Sequence, residues 1–211
     1  FEIFVQELGL PKPSENLEVS SGTQAQQTAK ALIGIESLIE KHSPDIVLAE
    51  GDTNSVLSSA LACAKTLTPF GHVEAGLRSF DKTMPEEVNR IVADHLAQVL
   101  FAPTAQACEN LLMEGISPEK FFVTGNTIVD ACQDNLLKAE NSSILSKIKF
   151  KSYCLITVHR QENTTSEKKL ETLCGILTAV SAENQIVFPL HPRTRNALAS
   201  FGLLARLEKN R

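Results

Sequence analysis

The chain has 211 residues, 43% of them hydrophobic and 21% charged, so it can bury a core in one or two domains. It has no apolar run of the roughly 18 residues that a membrane span needs and no signal-peptide start, which predicts a cytoplasmic protein without a membrane partner. The formal charge of −5 argues against a nucleic-acid partner, because nucleic-acid-binding surfaces are usually basic.

Strands and helices alternate along residues 21–140, which is the pattern of a parallel sheet in an α/β fold. The strands are predicted at 45–50, 70–74, 99–103 and 120–125, and the helices at 21–42, 51–67, 85–98, 104–115 and 126–140. We expect the first strand, DIVLAE, to be fully buried, and Asp52 or Thr53 to cap the helix that follows it. The opening residues, FEIFVQELGL, are typical of the end of an amphipathic helix.

A stretch rich in serine and lysine, without clear periodicity, predicts a linker between two domains. The first domain is predicted at 1–140, the linker at 141–151 and the second domain at 152–211. In the second domain the pattern predicts strands at 153–159 and 185–191, a helix at 166–182 and a helix opened by Pro192. Two parallel strands cannot cover both faces of their own sheet, so this domain is expected to be incomplete.

Carboxylates follow two predicted strands at the end where parallel sheets bind their ligands. Asp52 follows the first strand and Glu74 ends the second. If these strands are neighbours, their ends lie roughly 5 Å apart and both carboxylates face one crevice. Two carboxylates held together repel each other, which suits proton transfer. The alternatives are that Asp52 is a plain helix cap and that Glu74 is bonded to backbone.

The stretch TMPEEVNR allows two interpretations. Thr83 and Glu86 fit a capping box, and Glu86 and Arg90 fit an ion pair on the helix surface. Alternatively, Glu86 supplies a third carboxylate and Arg90 holds it or a substrate, since residues four apart share one helical face.

Histidine and arginine follow the strands of the second domain. His159 adjoins Arg160, and His191 lies close to Arg193 and Arg195. Two such clusters favour binding of an anion such as a diphosphate.

The sequence predicts no metal and no cofactor. The H-x-E spacing at 72–74 lacks the P-C-x-x-C partner of zinc deaminases, and HExxH, EF-hand and glycine-rich nucleotide fingerprints are missing. The five cysteines are scattered, so we expect buried side chains and neither a disulfide framework nor a metal knuckle.

Six motifs occur in order over nearly the whole chain: GDTNS, HVEAGLRS, MPEEVNR, TGNTIVDA, HRQEN and a late HP. Each is weak alone, but together they resemble the non-hydrolysing UDP-N-acetylglucosamine 2-epimerases. The resemblance implies a glycosyltransferase-B-like α/β fold with two Rossmann-like domains, parallel sheets and a nucleotide sugar in the cleft between them. The family's first strand with its arginine loop and its closing Ser-Gly-Gly and Gln-Glu-Glu segment have no match here, so both domains are expected to be truncated.

The resemblance also implies which residues act. The family's catalytic residues map onto Asp52, Glu74, Glu86 and His159. The implied substrate-binding residues are Arg78, Arg90, Arg160, Glu162, Asn163, His191 and Arg193. In bacterial members a second UDP-N-acetylglucosamine acts as an activator, and His191 is a candidate for that contact.

The implied activity is the interconversion of UDP-N-acetylglucosamine and UDP-N-acetylmannosamine by elimination of UDP and its re-addition. The resemblance further implies UDP as a ligand, a homodimer and a role in cell-surface polysaccharide biosynthesis. The sequence does not assign the base and the acid among the carboxylates. We expect the 211-residue chain alone to have little or no turnover.

Three other functions stay open at this point. They are a hydrolysing relative that releases UDP and N-acetylmannosamine, a nucleotide-sugar binding module without turnover, and a glycosyltransferase of the same fold. The carboxylates argue against a silent binder, because a site for an anionic ligand gains nothing from clustered negative charge.

Overall fold

The computed structural model of the chain describes residues 5, 8–19 and 22–208, with the backbone alone at 161, 162 and 208. The predicted helix end at residues 1–10 therefore lies largely outside the described residues. The chain divides into two compact units, Phe1–Leu137 and Lys138–Arg211. The predicted domain limit at residue 140 stays a prediction, and the division falls shortly before it.

The first unit alternates helices and strands as the sequence pattern predicts. Its helices are α1 (Gln24–His42), α2 (Asn54–Thr66), α3 (Pro85–Leu96), α4 (Ala105–Met113) and α5 (Thr127–Glu140), the last of which crosses the division. Its strands are β1 (Val47–Glu50), β2 (Phe70–Val73), β3 (Val99–Ala102) and β4 (Phe121–Val123), with a 3₁₀ turn at Pro118–Lys120 before β4.

The four strands form one parallel sheet in the order β1-β2-β3-β4. Glu50 at the end of β1 lies opposite Val73 at the end of β2, and Val73 lies opposite Phe101 of β3. The carboxyl ends of neighbouring strands therefore meet at one edge of the sheet, which is where ligands of such sheets bind.

The core of the first unit joins the middle strands to the helices. Phe70 of β2, Leu100 of β3 and Leu111 of α4 are fully buried together with the small residues Ala60 and Cys63 of α2. The small residues let α2 pack between α1 and α3. Full burial of a large apolar side chain stabilises a fold by about 1.5–3 kcal/mol, so these residues account for much of the unit's stability.

The prediction that the first strand is fully buried is wrong. Strand β1 lies at an edge of the described sheet, and its residues alternate between half-buried and exposed. Val47 and Ala49 pack against the core, while Leu48 is 57% exposed. Side chains of a strand alternate between the two faces of the sheet, and at β1 the face that carries Leu48 is poorly covered.

Local capping explains where several helices begin and end. Thr23 and Gln26 form a capping box at the start of α1, and Ser43 ends this helix in the left-handed conformation with φ 44°. The cap of α2 is Thr53, whose side chain makes no capping hydrogen bond. Asp52 is therefore not a plain helix cap, and its carboxylate is available for another contact.

The second unit contains a two-stranded parallel sheet and several helices. Its helices are α6 (Ile144–Lys147), α7 (Gln161–Thr164), α8 (Glu167–Ser181), α9 (Pro192–Ser200) and α10 (Leu204–Glu208). Its strands are β5 (Cys154–Leu155) and β6 (Ile186–Val187). Its buried cluster consists of Leu170, Cys174, Leu198 and Leu203.

These two strands are much shorter than predicted. Backbone pairing continues as far as the hydrogen bond from Ile156 N to Val187 O, 3.0 Å. Pro189 follows soon afterwards and has no N–H to donate, so it cannot extend a ladder. The apolar composition of 153–159 and 185–191 thus overestimates the length that hydrogen bonding allows.

The cysteines only partly follow the expectation of burial. Cys63 and Cys174 are buried, and burial raises the pKa of both thiols. Cys108 and Cys154 are half-buried and Cys132 is exposed on α5, so burial is wrong for Cys132. Within the described chain, no helix combines the length and the apolar character that crossing a membrane would require.

Candidate active site

Asp52 and Glu74 emerge from neighbouring strands, as the sequence predicts. Strands β1 and β2 pair directly, and Gly51 N donates to Val73 O at 3.1 Å just beyond their ends. The carboxylate of Glu74 lies against Gly51, since a Cβ added there would stand 3.7 Å from Glu74 Oε2. Glu74 therefore lies beside the residue that precedes Asp52.

Glu74 has an unusual backbone that aims its side chain. Its φ is 72°, in the left-handed region that residues other than glycine seldom adopt. Its N–H donates to Phe101 O at 3.1 Å, which anchors it to β3. The side chain accepts a hydrogen bond from Asn126 Nδ2 at 3.1 Å. Backbone strain of this kind persists where the surroundings hold it and is concentrated at functional sites.

Asp52 is held by an arginine from α3. Arg90 Nη2 lies 2.5 Å from Asp52 Oδ2, and the two side chains are 16% and 31% exposed. Asn89, on the same helix, donates from Nδ2 to the carbonyl oxygen of Asp52 at 2.8 Å. The predicted role of Arg90 as a holder of a carboxylate matches this contact, although its partner is Asp52 rather than Glu86.

The capping box predicted from Thr83 and Glu86 is wrong. Helix α3 is capped by Met84 without a side-chain hydrogen bond, and Pro85 opens it. The N–H and hydroxyl of Thr83 instead donate to Asp81 in the preceding loop. Glu86 is exposed in the first turn of α3, and the role predicted for it as a third carboxylate stays a prediction.

Glu87, which sequence reasoning missed, occupies the buried position beside Glu86. Its carboxylate accepts from Ser79 N at 2.8 Å, from Ser79 Oγ at 3.1 Å and from Phe80 N at 3.0 Å. Arg90 Nη1 lies 3.3 Å from the same carboxylate. Burial acts to raise the pKa of Glu87, but the hydrogen bonds from Ser79 and Phe80 outweigh it and hold the pKa below its ordinary value.

A buried charge network lies behind these residues. His72 bridges Asp94, with Nδ1 2.6 Å from Oδ1, and the carbonyl oxygen of Gly51, 2.8 Å from Nε2. Arg78 Nη2 lies 2.7 Å from Asp94 Oδ2 and 2.6 Å from Glu114 Oε2. The hydrogen bond between His72 and Gly51 O links this network to the turn after β1. The same turn carries Asp52, the residue next to Gly51.

Arg78 is fully buried, which favours a structural role for it. Its side chain is 0% exposed, and its guanidinium is bonded to Asp94, Glu114 and the Leu77 carbonyl. Burial works to lower the pKa of Arg78, but the hydrogen bonds and charges of Glu114 and Asp94 outweigh it and raise the pKa. Binding of substrate by Arg78 stays a prediction.

Gly76 allows the loop between β2 and α3 to pass close to α4. Its φ is 78°, and a Cβ at this position would lie 2.4 Å from Ala107 O. Gly76 N donates to Asp94 at 3.1 Å, and its carbonyl accepts from Asn110 Nδ2 at 2.9 Å. The loop is thus fixed on both sides by buried side chains.

Two of the missed residues, Glu87 and Asp94, carry a sequence signal. Glu87, Arg90 and Asp94 are spaced by three and four residues and therefore share one face of α3. Polar residues at such spacing on a helix that packs onto a sheet need partners in the interior. His72, inside a strand, shows no comparable periodic signal.

In the second unit the two predicted histidines lie together. The rings of His159 and His191 have centroids 5.7 Å apart and are tilted by 36°. His191 caps α9 by accepting from Arg193 N at 3.2 Å, and buried Thr194 donates to Val158 O at 2.5 Å. The hydroxyl of Thr194 thus ties the start of α9 to the segment that carries His159.

The remaining predicted residues lie near these histidines in the sequence. Arg160 caps the short helix α7 without a side-chain capping bond, and Asn163 is exposed on that helix. The side chain of Glu162 lies outside the described part of the chain. Arg193 is exposed in the first turn of α9. In the described ranges no three His, Cys, Asp or Glu side chains are grouped as a metal site would need.

Fold and site define a class: an α/β protein that brings the carboxylates of Asp52 and Glu74 to the carboxyl ends of neighbouring parallel strands. The profile of the UDP-N-acetylglucosamine 2-epimerase family matches residues 1–210. The chain therefore belongs to the UDP-N-acetylglucosamine 2-epimerase family, which confirms the predicted resemblance.

Individual relatives agree with this assignment. The UDP-N-acetylglucosamine 2-epimerase of Methanococcus maripaludis is 48% identical over 216 residues, which cover 99% of this chain and 59% of the relative. A UDP-2,3-diacetamido-2,3-dideoxy-D-glucuronate 2-epimerase of Pseudomonas aeruginosa is 40% identical over 205 residues, which cover 96% of this chain and 57% of the relative. This chain thus spans less than two thirds of the length of these relatives.

A solved structure supports the fold. The Methanocaldococcus jannaschii UDP-GlcNAc 2-epimerase, in complex with UDP-GlcNAc and UDP, matches with a TM-score of 0.93 and 45% identity, over 100% of this chain and 59% of that one. The predicted glycosyltransferase-B-like α/β fold with parallel sheets is confirmed.

Proposed function

We propose that the complete product of this gene interconverts UDP-N-acetylglucosamine and UDP-N-acetylmannosamine and keeps the sugar linked to UDP. The observation that carries this proposal is the pair of carboxylates, Asp52 and Glu74, at the ends of paired strands, with Arg90 bonded to Asp52. The names of the relatives and the ligands of the M. jannaschii structure support the substrate.

The reaction follows from the acidity of the sugar. The proton at C2 is weakly acidic, so we propose that it is removed while the bond from C1 to the UDP oxygen breaks. This elimination gives UDP and 2-acetamidoglucal. Re-addition forms the C1–O bond again and delivers a proton to the opposite face of C2, so atoms and charge balance. The route requires a base, an acid and fixed positive charge near the departing diphosphate.

The candidate groups have different electrostatic surroundings. Asp52 is paired with the guanidinium of Arg90, whereas the described partner of Glu74 is the neutral amide of Asn126. Glu86 remains a third candidate on the exposed first turn of α3. We propose that His159, together with His191, donates hydrogen bonds to the diphosphate, a role that suits side chains beside the start of a helix.

Turnover in heavy water tests the proposal. The complete gene product is incubated with UDP-N-acetylglucosamine in D₂O, and the products are analysed by NMR and mass spectrometry. We expect both UDP-linked epimers, with deuterium at C2. Release of free N-acetylmannosamine would instead identify a hydrolysing enzyme, and unchanged substrate would identify a binding module.

Amide substitutions separate catalysis from binding. Asp52→Asn and Glu74→Gln should each lower kcat by about 10²–10⁴-fold, the range for loss of a general acid or base. Glu109→Gln, an exposed change on α4, is the matched control and should leave kcat unchanged. If the protein only binds its ligand, the amide variants should keep or improve affinity, because they remove negative charge facing an anion.

A second substrate is supported by the Pseudomonas aeruginosa relative, whose name specifies UDP-2,3-diacetamido-2,3-dideoxy-D-glucuronate. Its C2 chemistry is the same, so the site described above does not separate the two sugars. Comparison of kcat/KM for both UDP sugars assigns the preference. We propose UDP-N-acetylglucosamine because the relative with 48% identity carries that name.

Three further proposals concern the activity of the 211-residue chain alone, the oligomeric state and the location in the cell. We propose that the 211 residues alone have little or no turnover, because the relatives are considerably longer. An assay of the chain alone beside the complete gene product tests this. The homodimer and the cytoplasmic location also stay predictions, and light scattering of the complete product tests the first.

A further inference from the structure

Asn126 lies between β4 and α5 and contacts Glu74. Its Nδ2 donates to Glu74 Oε1 at 3.1 Å, and its Oδ1 accepts from Ile128 N at 2.9 Å. The second contact fixes the orientation of the amide, because the oxygen is occupied by a backbone donor and the NH₂ group must face Glu74. The side chain is half-buried.

The backbone around Asn126 is held in place on both sides. Thr124 N donates to Ala102 O at 2.9 Å, which continues the pairing of β4 with β3. Gly125 turns the chain with φ 82°, and Val129 N donates to the carbonyl oxygen of Asn126 at 3.0 Å. Asn126 therefore joins a sheet end to a helix start, and its amide is presented by a fixed frame.

The orientation of the Glu74 carboxylate depends on its hydrogen bond with Asn126. Asp52 is aimed by the charge of Arg90, whereas Glu74 is bonded to the amide of Asn126 and sits on a backbone with φ 72°. We propose that Asn126 is a positioning residue that orients the Glu74 carboxylate toward the substrate. This inference rests on the proposed function, because it assumes that Glu74 acts on the sugar.

The competing explanation is that Asn126 is an ordinary helix cap. Both explanations require the oxygen that accepts from Ile128 N, but only positioning requires the NH₂ group. Asn126→Asp keeps an acceptor at the cap, removes the donor and places a second carboxylate against Glu74. Asn126→Ala removes both functions. Asn135→Asp makes the same chemical change at another half-buried position, on α5, and is the matched control.

The first measurement uses the 211-residue chain. In urea unfolding we expect Asn126→Asp to lower the midpoint less than Asn126→Ala does, because the new carboxylate still accepts at the helix start, although it is repelled by Glu74. In NMR spectra, Glu74→Gln should shift the side-chain NH₂ signals of Asn126. Unmoved signals would show that the contact is absent and would overturn the proposal.

The second measurement uses the complete gene product with UDP-N-acetylglucosamine. Asn126→Asp should lower kcat by about 10²-fold, the scale of a misplaced catalytic group, with KM changed far less. Asn135→Asp should retain the wild-type kcat. In the Glu74→Gln background, Asn126→Asp should add little further loss, because the two residues act as a unit. Full activity of Asn126→Asp would establish a plain cap and overturn positioning.

Failure of the proposed function gives a different result. If the wild-type gene product turns over neither UDP sugar, the epimerase proposal fails, and positioning in catalysis fails with it even where the NMR contact is present. If the wild type is active but the two Asn126 variants lose activity only in proportion to lost stability, the epimerase proposal stands and the positioning role is overturned.

Discussion

The two units hold their candidate groups in different ways. In the first unit, Asp52 and Glu74 are fixed by polar partners, and a buried network that includes Asp94 lies behind them. In the second unit, His159 and His191 are exposed in the segments that follow the two-residue strands β5 and β6. Under the proposed function, groups that transfer a proton must be aimed at one atom, whereas groups that bind a diphosphate tolerate a looser fit. On that proposal, the residues held by more hydrogen bonds and ion pairs are those whose chemistry needs the more precise placement.

The largest change in unfolding free energy is expected when the carboxylate of Asp94 is removed from the first unit. Asp94→Ala leaves the fully buried Arg78 without one of its two carboxylates and should destabilise the chain by about 3–5 kcal/mol. Urea unfolding followed by circular dichroism measures the change. Asp134→Ala, at an exposed position of α5, is the control and should change stability by less than about 0.5 kcal/mol. Equal effects at both positions would contradict the network.

A matched pair of core substitutions compares the two hydrophobic clusters. Leu111→Ala and Leu170→Ala each remove a side chain with 0% exposure, and each should cost about 2–5 kcal/mol. We expect Leu111→Ala to cost more, because the cluster around Leu170 has fewer buried members and can relax into the cavity. Unfolding midpoints of the two variants decide the order. A larger loss for Leu170→Ala would show the second core to be the tighter one.

The pH dependence of stability tests whether an ionised Glu87 stabilises the first unit. Its pKa is held below the ordinary value, so its stabilising contribution is present above the unfolded pKa of about 4.3 and is lost as pH falls through the folded pKa. Glu87→Gln should therefore cost about 1.5–3 kcal/mol at neutral pH, and the difference from wild type should shrink in acid. Unfolding at several pH values measures this. A difference that stays constant with pH would exclude an ionised Glu87 as its source.

The smallest expected effect lies in the second unit. Thr194→Val removes the hydrogen bond to Val158 O and leaves that oxygen without this donor, at a cost of about 1 kcal/mol. The NMR signals of His159 should broaden or shift as the start of α9 loosens. Ser200→Ala, an exposed change on the same helix, is the control. An unchanged His159 signal in Thr194→Val would show that the hydroxyl does not support this segment.

The parallel sheet and its carboxylate-bearing ends could be predicted from the sequence. The alternation of apolar strands with helices places Asp52 and Glu74 after successive strands, and the observed pairing of β1 with β2 follows. The exposure of Leu48 could not be predicted in this way, since an apolar run has the same composition at a sheet edge and at its centre.

The network behind the site was missed for a physical reason. His72, Asp94 and Gly51 are distant in sequence and meet only when the turn after β1, strand β2 and helix α3 pack together. The predicted start of α3 at residue 85 is confirmed, but local spacing predicted the wrong cap: Met84 caps the helix and Pro85 opens it, without a capping box from Thr83. Where local sequence patterns allow more than one structure, tertiary contacts decide which one forms.

The residue at position 76 indicates whether a homologue can keep the same loop geometry. A methyl group there would need the space of the Ala107 carbonyl oxygen, which belongs to the first turn of α4 and is backbone, so no change of side-chain conformation relieves the overlap. A homologue with any larger residue at this position must have displaced α4 or reshaped the loop. In such a homologue the alignment of the acidic positions beside it, including Glu74, no longer implies the same geometry.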